Sequence, residues 1–136
     1  RAVDAGQVAV LAGQGALLID ALPAPGHKLR KDGSWITPET HVTLPGAHWL
    51  PEIGRGDLTP DIRAYLTDAL AGCAPAQPMV IFCRNDCWMS WNAVQHIAAM
   101  GFTDLAWYAD GIEDWADHGH PTEPADPLPM GASLCQ

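Results

Sequence analysis

The sequence predicts one α/β domain built on a central parallel sheet with helices on both faces. Three apolar runs carry that prediction: Ala16-Leu17-Leu18-Ile19-Asp20, Pro78-Met79-Val80-Ile81-Phe82 and Leu105-Ala106-Trp107-Tyr108. Each is short and nearly continuous in apolar side chains, as strands buried on both faces are. Helical patterns lie between them, and strand–helix alternation is the mark of a parallel sheet. A chain of 136 residues with 48% hydrophobic content is also sufficient to bury one core.

Taken in order, residues 2–14 read as a helix, with Val3, Val8, Val10 and Leu11 available for a buried stripe. The 16–20 strand follows. Residues 22–43 carry Pro23, Pro25, Gly26, Gly33 and Pro38, which predicts a long loop of the functional or partner-facing kind. Thr59-Pro60-Asp61 opens the next helix: Thr caps free N–H groups, Pro suits the first helical position, and Asp complements the helix dipole. That helix runs to about Ala71 and stops near Gly72. The 78–82 strand delivers Cys83 at its carboxyl end, residues 90–100 read as a helix closed by Gly101, and residues 105–108 form the third strand. A short helix over 111–118 completes a domain bounded at residues 1–123. Residues 124–136 form a Pro-rich tail with almost no core formers, expected to be extended or mobile.

The formal charge of −9, from 16 acidic and 7 basic residues, argues against a nucleic-acid or anionic-membrane partner. No run approaches the roughly 18 apolar residues of a membrane-spanning helix. Cys73, Cys83, Cys87 and Cys135 are too few for a disulfide scaffold and too irregularly spaced for a structural zinc site. The histidines are scattered with no helical i, i+4 pair, so no metal ligands are assigned and no cofactor is expected. Cys73 and Cys135 read as peripheral, although a bond between them would pin the tail. The chain opens at Arg1 with neither an initiator Met nor a charged-then-apolar leader, which fits a removed leader or a trimmed terminus.

The chemistry concentrates in Cys83-Arg84-Asn85-Asp86-Cys87-Trp88-Met89-Ser90. A Cys between a strand end and a helix N-terminus sits among unpaired backbone N–H groups and the positive end of a helix dipole. Both favour the reactive thiolate, and the same cradle binds anions. Arg84 adds positive charge and Asp86 opposes it. Cys83 and Cys87 are the candidate catalytic residues, Cys83 as nucleophile. Three roles fit Cys87: a resolving thiol, a metal ligand, or a plain loop residue. Trp88 and Trp91 stand where they either pack or line a pocket, whereas Trp107 and Trp115 read as core. Asp20 ends a strand on the same edge of the sheet, where it either orients the loop or makes structural hydrogen bonds.

These residues resemble the rhodanese family. The strand-plus-cysteine segment Pro78 to Arg84 is similar to its signature, and Leu18-Ile19-Asp20 to its first strand. Leu44-Pro45-Gly46-Ala47, Gly101-Phe102, Asp110-Gly111-Ile112 with Trp115, and Gly119-His120-Pro121 follow its remaining pattern. A narrower likeness rests on Asp86-Cys87-Trp88-Met89-Ser90-Trp91-Asn92-Ala93, Asp20-Ala21-Leu22-Pro23-Ala24-Pro25 and Trp49-Leu50-Pro51-Glu52-Ile53-Gly54-Arg55-Gly56. These segments resemble the CXXCW motif proteins associated with PQQ-dependent catabolism. That resemblance implies a periplasmic protein linked to alcohol oxidation by a quinoprotein dehydrogenase or cytochrome c system. There are departures. Leu22 stands where rhodaneses carry an Arg after the first-strand Asp, and the loop from Cys83 to Met89 is one residue longer than usual. Phosphatases and arsenate reductases of this fold share that longer loop but end it with an oxyanion-clamping Arg. Met89 has no donor, which disfavours phosphatase chemistry.

Two functional classes follow. In the first, Cys83 takes sulfur from a small sulfane-sulfur donor, holds it as a persulfide and passes it to an acceptor, the loop N–H groups stabilising the anion. In the second, Cys83 and Cys87 serve a thiol-redox or partner-binding module, cycling between dithiol and disulfide or holding Cu(I) with Met89 nearby.

Overall fold

The computed structural model describes all residues, 1–136. In chain order the elements are α1 (Ala5–Gly13), β1 (Leu17–Asp20), β2 (Lys28–Leu29), β3 (Trp35–Ile36), β4 (Val42–Thr43) and β5 (His48–Trp49). They continue as α2 (Pro60–Leu70), β6 (Met79–Phe82), α3 (Met89–Ala99), β7 (Leu105–Tyr108), α4 (Gly111–Asp117) and β8 (Glu123–Pro124). The central sheet has the order β5-β1-β6-β7 and is parallel throughout. Its register sets Asp20 against Phe82 and Phe82 against Tyr108, so three strands end together.

Alternation along these strands divides the core in two. Ile19, Met79 and Ile81 pack with Ile62, Tyr65, Leu66, Ala69 and Leu70 of α2 and with Ala93 and Ile97 of α3. Leu18, Val80, Phe82, Ala106 and Tyr108 pack on the opposite face with Val8 of α1 and Ile112 and Trp115 of α4. Helices on both faces of a parallel sheet are what the apolar runs predict. The start of α2 also matches: the Thr59 hydroxyl accepts the Ile62 N–H, with Pro60 in the first turn.

Elsewhere the structure differs from the sequence expectation. α1 begins after Asp4, whose carboxylate and the side chain of Gln7 form a capping box. Residues 1–3 instead run beside β7, the Val3 N–H donating to the Trp107 carbonyl and the Trp107 N–H to that of Arg1. Val10, two residues from buried Val8 and so on the opposite side of α1, is 58% exposed. The 22–43 loop contains a small antiparallel hairpin of β2 and β3, turned at Asp32 and Gly33, and it ends in β4. Its anchor is Trp35, buried against Tyr65 of α2.

The tail is extended, and it is held at several points. β8 pairs with β4, the Leu128 N–H donates to the Trp49 carbonyl, and the Tyr65 hydroxyl donates to the Leu128 carbonyl. Further on, the Met130 and Leu134 N–H groups donate to the carbonyls of Gly33 and Ala69. Leu128, Met130 and Leu134 all pack on the core, so three side chains do what the Pro-rich composition concealed. A disulfide joins Cys73 to Cys135 across a sequence separation of 62.

Closing a loop of that length restricts the unfolded chain, an effect of about 2–4 kcal/mol. The Cys73→Ser/Cys135→Ser double variant should therefore lose about that much stability in urea unfolding, with the fold retained at low denaturant. An unchanged midpoint would mean that the hydrogen bonds of the tail hold it without the bond.

Candidate active site

The site grows out of the carboxyl end of β6. Cys83 follows Phe82 and is wholly buried, and its carbonyl accepts the Ile112 N–H at 3.0 Å. Gly111 makes that possible. It has φ +73°, and a Cβ there would run into the Cys83 carbonyl and the backbone of Arg84. α4 is itself anchored by Tyr108, whose hydroxyl donates to Asp114. Burial first, and then that bond and the charge of Asp114, push the tyrosine far above its ordinary pKa, so it remains a donor.

Beyond Cys83 the chain turns through exposed Arg84, Asn85 and Asp86, the last with φ +57°. The Cys87 N–H donates to the Arg84 carbonyl, and α3 then starts with Trp88 at its N-cap and no side-chain cap. The N–H groups of Arg84, Asn85, Asp86, Trp88, Met89 and Ser90 donate to no protein acceptor. These are the orphan donors of a helix start and its approach, which favour an anion. Cys83 and Cys87 are joined by a disulfide, their Cα atoms 6.0 Å apart. Cys87 is the more accessible partner, half-buried where Cys83 is sealed.

The remaining loop residues have distinct tasks. Ser90 is buried; its hydroxyl donates to the Cys87 carbonyl and accepts the Trp107 indole N–H. Trp107, expected in the core, is half-buried between Trp88 and Trp91, with ring centroids at 6.1 and 4.9 Å. It lies on the edge strand of the sheet, and its indole N–H reaches the buried Ser90 hydroxyl at the start of α3. Trp115 is in the core as expected. Trp88 is 68% exposed beside Cys87, and these two residues help to line a cavity of about 140 Å³. Met89 is half-buried, and its backbone lies so close to Gly54 that no Cβ fits there. The Asn92 amide and the His96 imidazole donate to the carbonyls of Gly54 and Arg55, fastening this segment to α3.

Asp20 does not hydrogen-bond to the cysteine loop. One carboxylate oxygen accepts the Leu22 N–H at 3.0 Å, and the other lies 2.6 Å from His41 Nε2. Both side chains are buried, and His41 packs against Trp49, whose indole N–H donates to the Leu22 carbonyl. These are structural hydrogen bonds, the second of the readings its position allowed. A cleft of about 310 Å³ opens beside this cluster, bounded by Leu22, Thr40, His41, Trp49 and Arg84 among others. Arg84 is the one residue of the cysteine loop on its wall. His41, Gly54 and Gly111 are the site-shaping residues whose roles sequence reasoning missed. Gly111 alone had a usable signal, lying directly after Asp110 at a strand-to-helix turn.

A family model described as "Rhodanese-like domain" matches residues 5–118. No curated protein matches the chain. Among solved structures, the chain resembles the 3-mercaptopyruvate sulfotransferase SseA of Escherichia coli at 15% identity and TM-score 0.65, over 96% of this chain and 52% of that one. It resembles the human single-domain sulfurtransferase TSTD1 at 22% identity and TM-score 0.51, over 85% and 95% of the two chains. It also resembles the rhodanese-like domain of Alr3790 from Anabaena sp., at 16% identity and TM-score 0.58, over 89% and 76%. At these identities the structural likenesses establish the fold.

The Gly111 contact yields a controlled test. Gly101 also has a positive φ but open space around it, so Gly101→Ala incurs backbone strain alone. Gly111→Ala adds a collision with the cysteine loop and should lose about 1–3 kcal/mol more in urea unfolding. It should also change the alkylation rate of Cys83 in reduced protein, which Gly101→Ala leaves as it was. Equal effects of the two variants would remove Gly111 from the account of the site.

Proposed function

The chain belongs to the rhodanese-like domain family, and from that premise we propose that it is a sulfurtransferase working through a persulfide on Cys83. One observation carries the reading: Cys83 stands at the carboxyl end of β6, followed by a loop and helix start whose N–H groups, that of Cys87 apart, have no protein acceptor. In the reduced protein the Cys83 thiolate attacks the sulfane sulfur of a small donor such as thiosulfate. An Sγ–S bond forms, the S–S bond of the donor breaks, and sulfite leaves with the electron pair. The terminal sulfur is anionic, and the free loop N–H groups with the start of α3 stabilise it. An acceptor nucleophile then takes the outer sulfur and returns Cys83 to the thiolate. Arg84, exposed at the wall of the cleft beside His41, is placed to attract an anionic donor.

The Cys83–Cys87 bond favours a second reading, a thiol-redox module in which Cys87 resolves mixed disulfides formed by Cys83. A Cu(I) site has less support, since both sulfurs are committed to that bond and the Met89 backbone is packed against Gly54. We further place the protein in the periplasm, serving a quinoprotein dehydrogenase or cytochrome c system. Support comes from the sequence resemblance and from two disulfides, which suit an oxidising compartment.

Substitution separates the two readings. After reduction, Cys83→Ser should abolish sulfur transfer from thiosulfate to cyanide, measured as thiocyanate, while Cys87→Ser should retain or raise it. A Cys87→Ser protein that stops turning over and accumulates a mixed disulfide on Cys83 would favour the redox module instead.

A further inference from the structure

The two thiols are near enough to bond, and this has a chemical consequence for any persulfide formed between them. Cys83 and Cys87 are bonded in the folded chain with the parallel register of β1, β6 and β7 unbroken. Cys87 Sγ therefore reaches the Sγ atom of Cys83 in this fold, which is the inner sulfur of a Cys83 persulfide. We infer that Cys87 discharges that persulfide as hydrosulfide, making the site a reductive releaser of sulfide from sulfane-sulfur compounds. This inference rests on the sulfur-transfer reading and names the fate of the sulfur within it.

The steps balance. The Cys87 thiolate attacks Cys83 Sγ, a Cys83–Cys87 bond forms, and the bond from Cys83 Sγ to the outer sulfur breaks. The outer sulfur, anionic in the persulfide, takes up the proton that the Cys87 thiol gave up on becoming the thiolate, and leaves as hydrosulfide with the electron pair. Attack on the outer sulfur would instead expel the Cys83 thiolate and move the sulfur to Cys87. Geometry favours discharge, because the Cys83–Cys87 bond shows that Cys87 Sγ reaches the inner sulfur directly. A thiol held this close also acts at an effective concentration on the order of millimolar or above. An external acceptor must exceed that to intercept the sulfur.

The product is the disulfide already present in the structure, and an external dithiol must reduce it before another turnover. Accessibility directs that step. Cys83 is sealed and Cys87 half-buried, so the incoming thiolate attacks Cys87 Sγ and Cys83 departs as the thiolate beside the uncapped start of α3. The second thiolate of the dithiol then attacks the mixed disulfide and frees Cys87. Over a full cycle thiosulfate and the dithiol become sulfite, hydrosulfide and the oxidised dithiol.

The test is a single turnover. The full chain is reduced, desalted anaerobically to remove reductant, and mixed with one equivalent of thiosulfate and no acceptor. Sulfite, sulfide and intact protein mass are then measured. One sulfite and one sulfide per chain, with the protein two hydrogens lighter, is the expected result. One sulfite with a stable mass gain of one sulfur and no sulfide would overturn the discharge step while leaving sulfur transfer standing. No sulfite at all would sink the sulfur-transfer reading itself, and the discharge with it. In Cys87→Ser, sulfide should fall to the background without protein and the added sulfur should persist. Undiminished sulfide from that variant would also overturn the role of Cys87.

Discussion

The closeness of two chain segments, the exit from β6 and the exit from β7, governs the rest of this site. Parallel register brings Phe82 and Tyr108 to the same level, so both strands turn at the same place. The chain leaving β7 can enter α4 there only because Gly111 has no Cβ to strike Cys83 and Arg84. The Ile112 N–H then fixes the Cys83 carbonyl, and the direction of the following turn is set. On the other side, Gly54 admits the backbone of Met89 in the same way. The cysteine loop is thus gripped by backbone at both ends, and of the N–H groups between those grips only that of Cys87 is spent. Donors already in place, with no reorganisation needed, are what electrostatic stabilisation of an anion demands.

A second cluster holds the neighbouring segment. Asp20, His41, Leu22 and Trp49 tie the start and end of the 22–43 segment to the sheet. Removing one member of such a buried hydrogen-bonded pair leaves the other unsatisfied, at a cost of about 1–3 kcal/mol. The pair therefore specifies one arrangement of the cleft wall rather than adding much net stability. Because Arg84 stands on that wall, the cleft and the cysteine loop share a boundary residue.

What the sequence made legible was local or periodic. The three sheet strands, the Thr59 cap and the placement of Cys83 at a strand end could all be read from runs and punctuation. The missed features depend on partners distant in the chain. His41 is 21 residues from Asp20, and a scattered histidine carries no sign of the carboxylate it will meet. The β2 and β3 hairpin has only two residues on each side, too few to show alternation, and its stability comes from Trp35 lying against Tyr65. The tail misled through composition, since Leu128, Met130 and Leu134 are spaced among prolines without a period. Trp107 misled through its strand: its neighbours Ala106 and Tyr108 are buried, whereas its ring, on the edge strand β7, lies half-buried against Trp88 and Trp91.

The two disulfides lie toward opposite ends of the sheet. Cys83 follows the carboxyl end of β6, whereas Cys73 lies between α2 and the amino end of that same strand, and the space beside Gly72 is filled by Gln136. A surface linker attached at Gln136 would therefore leave from the far side of the domain. A protein immobilised that way on a bead or an electrode would present its cysteine loop to the bulk solution, with the anchoring chemistry kept clear of it.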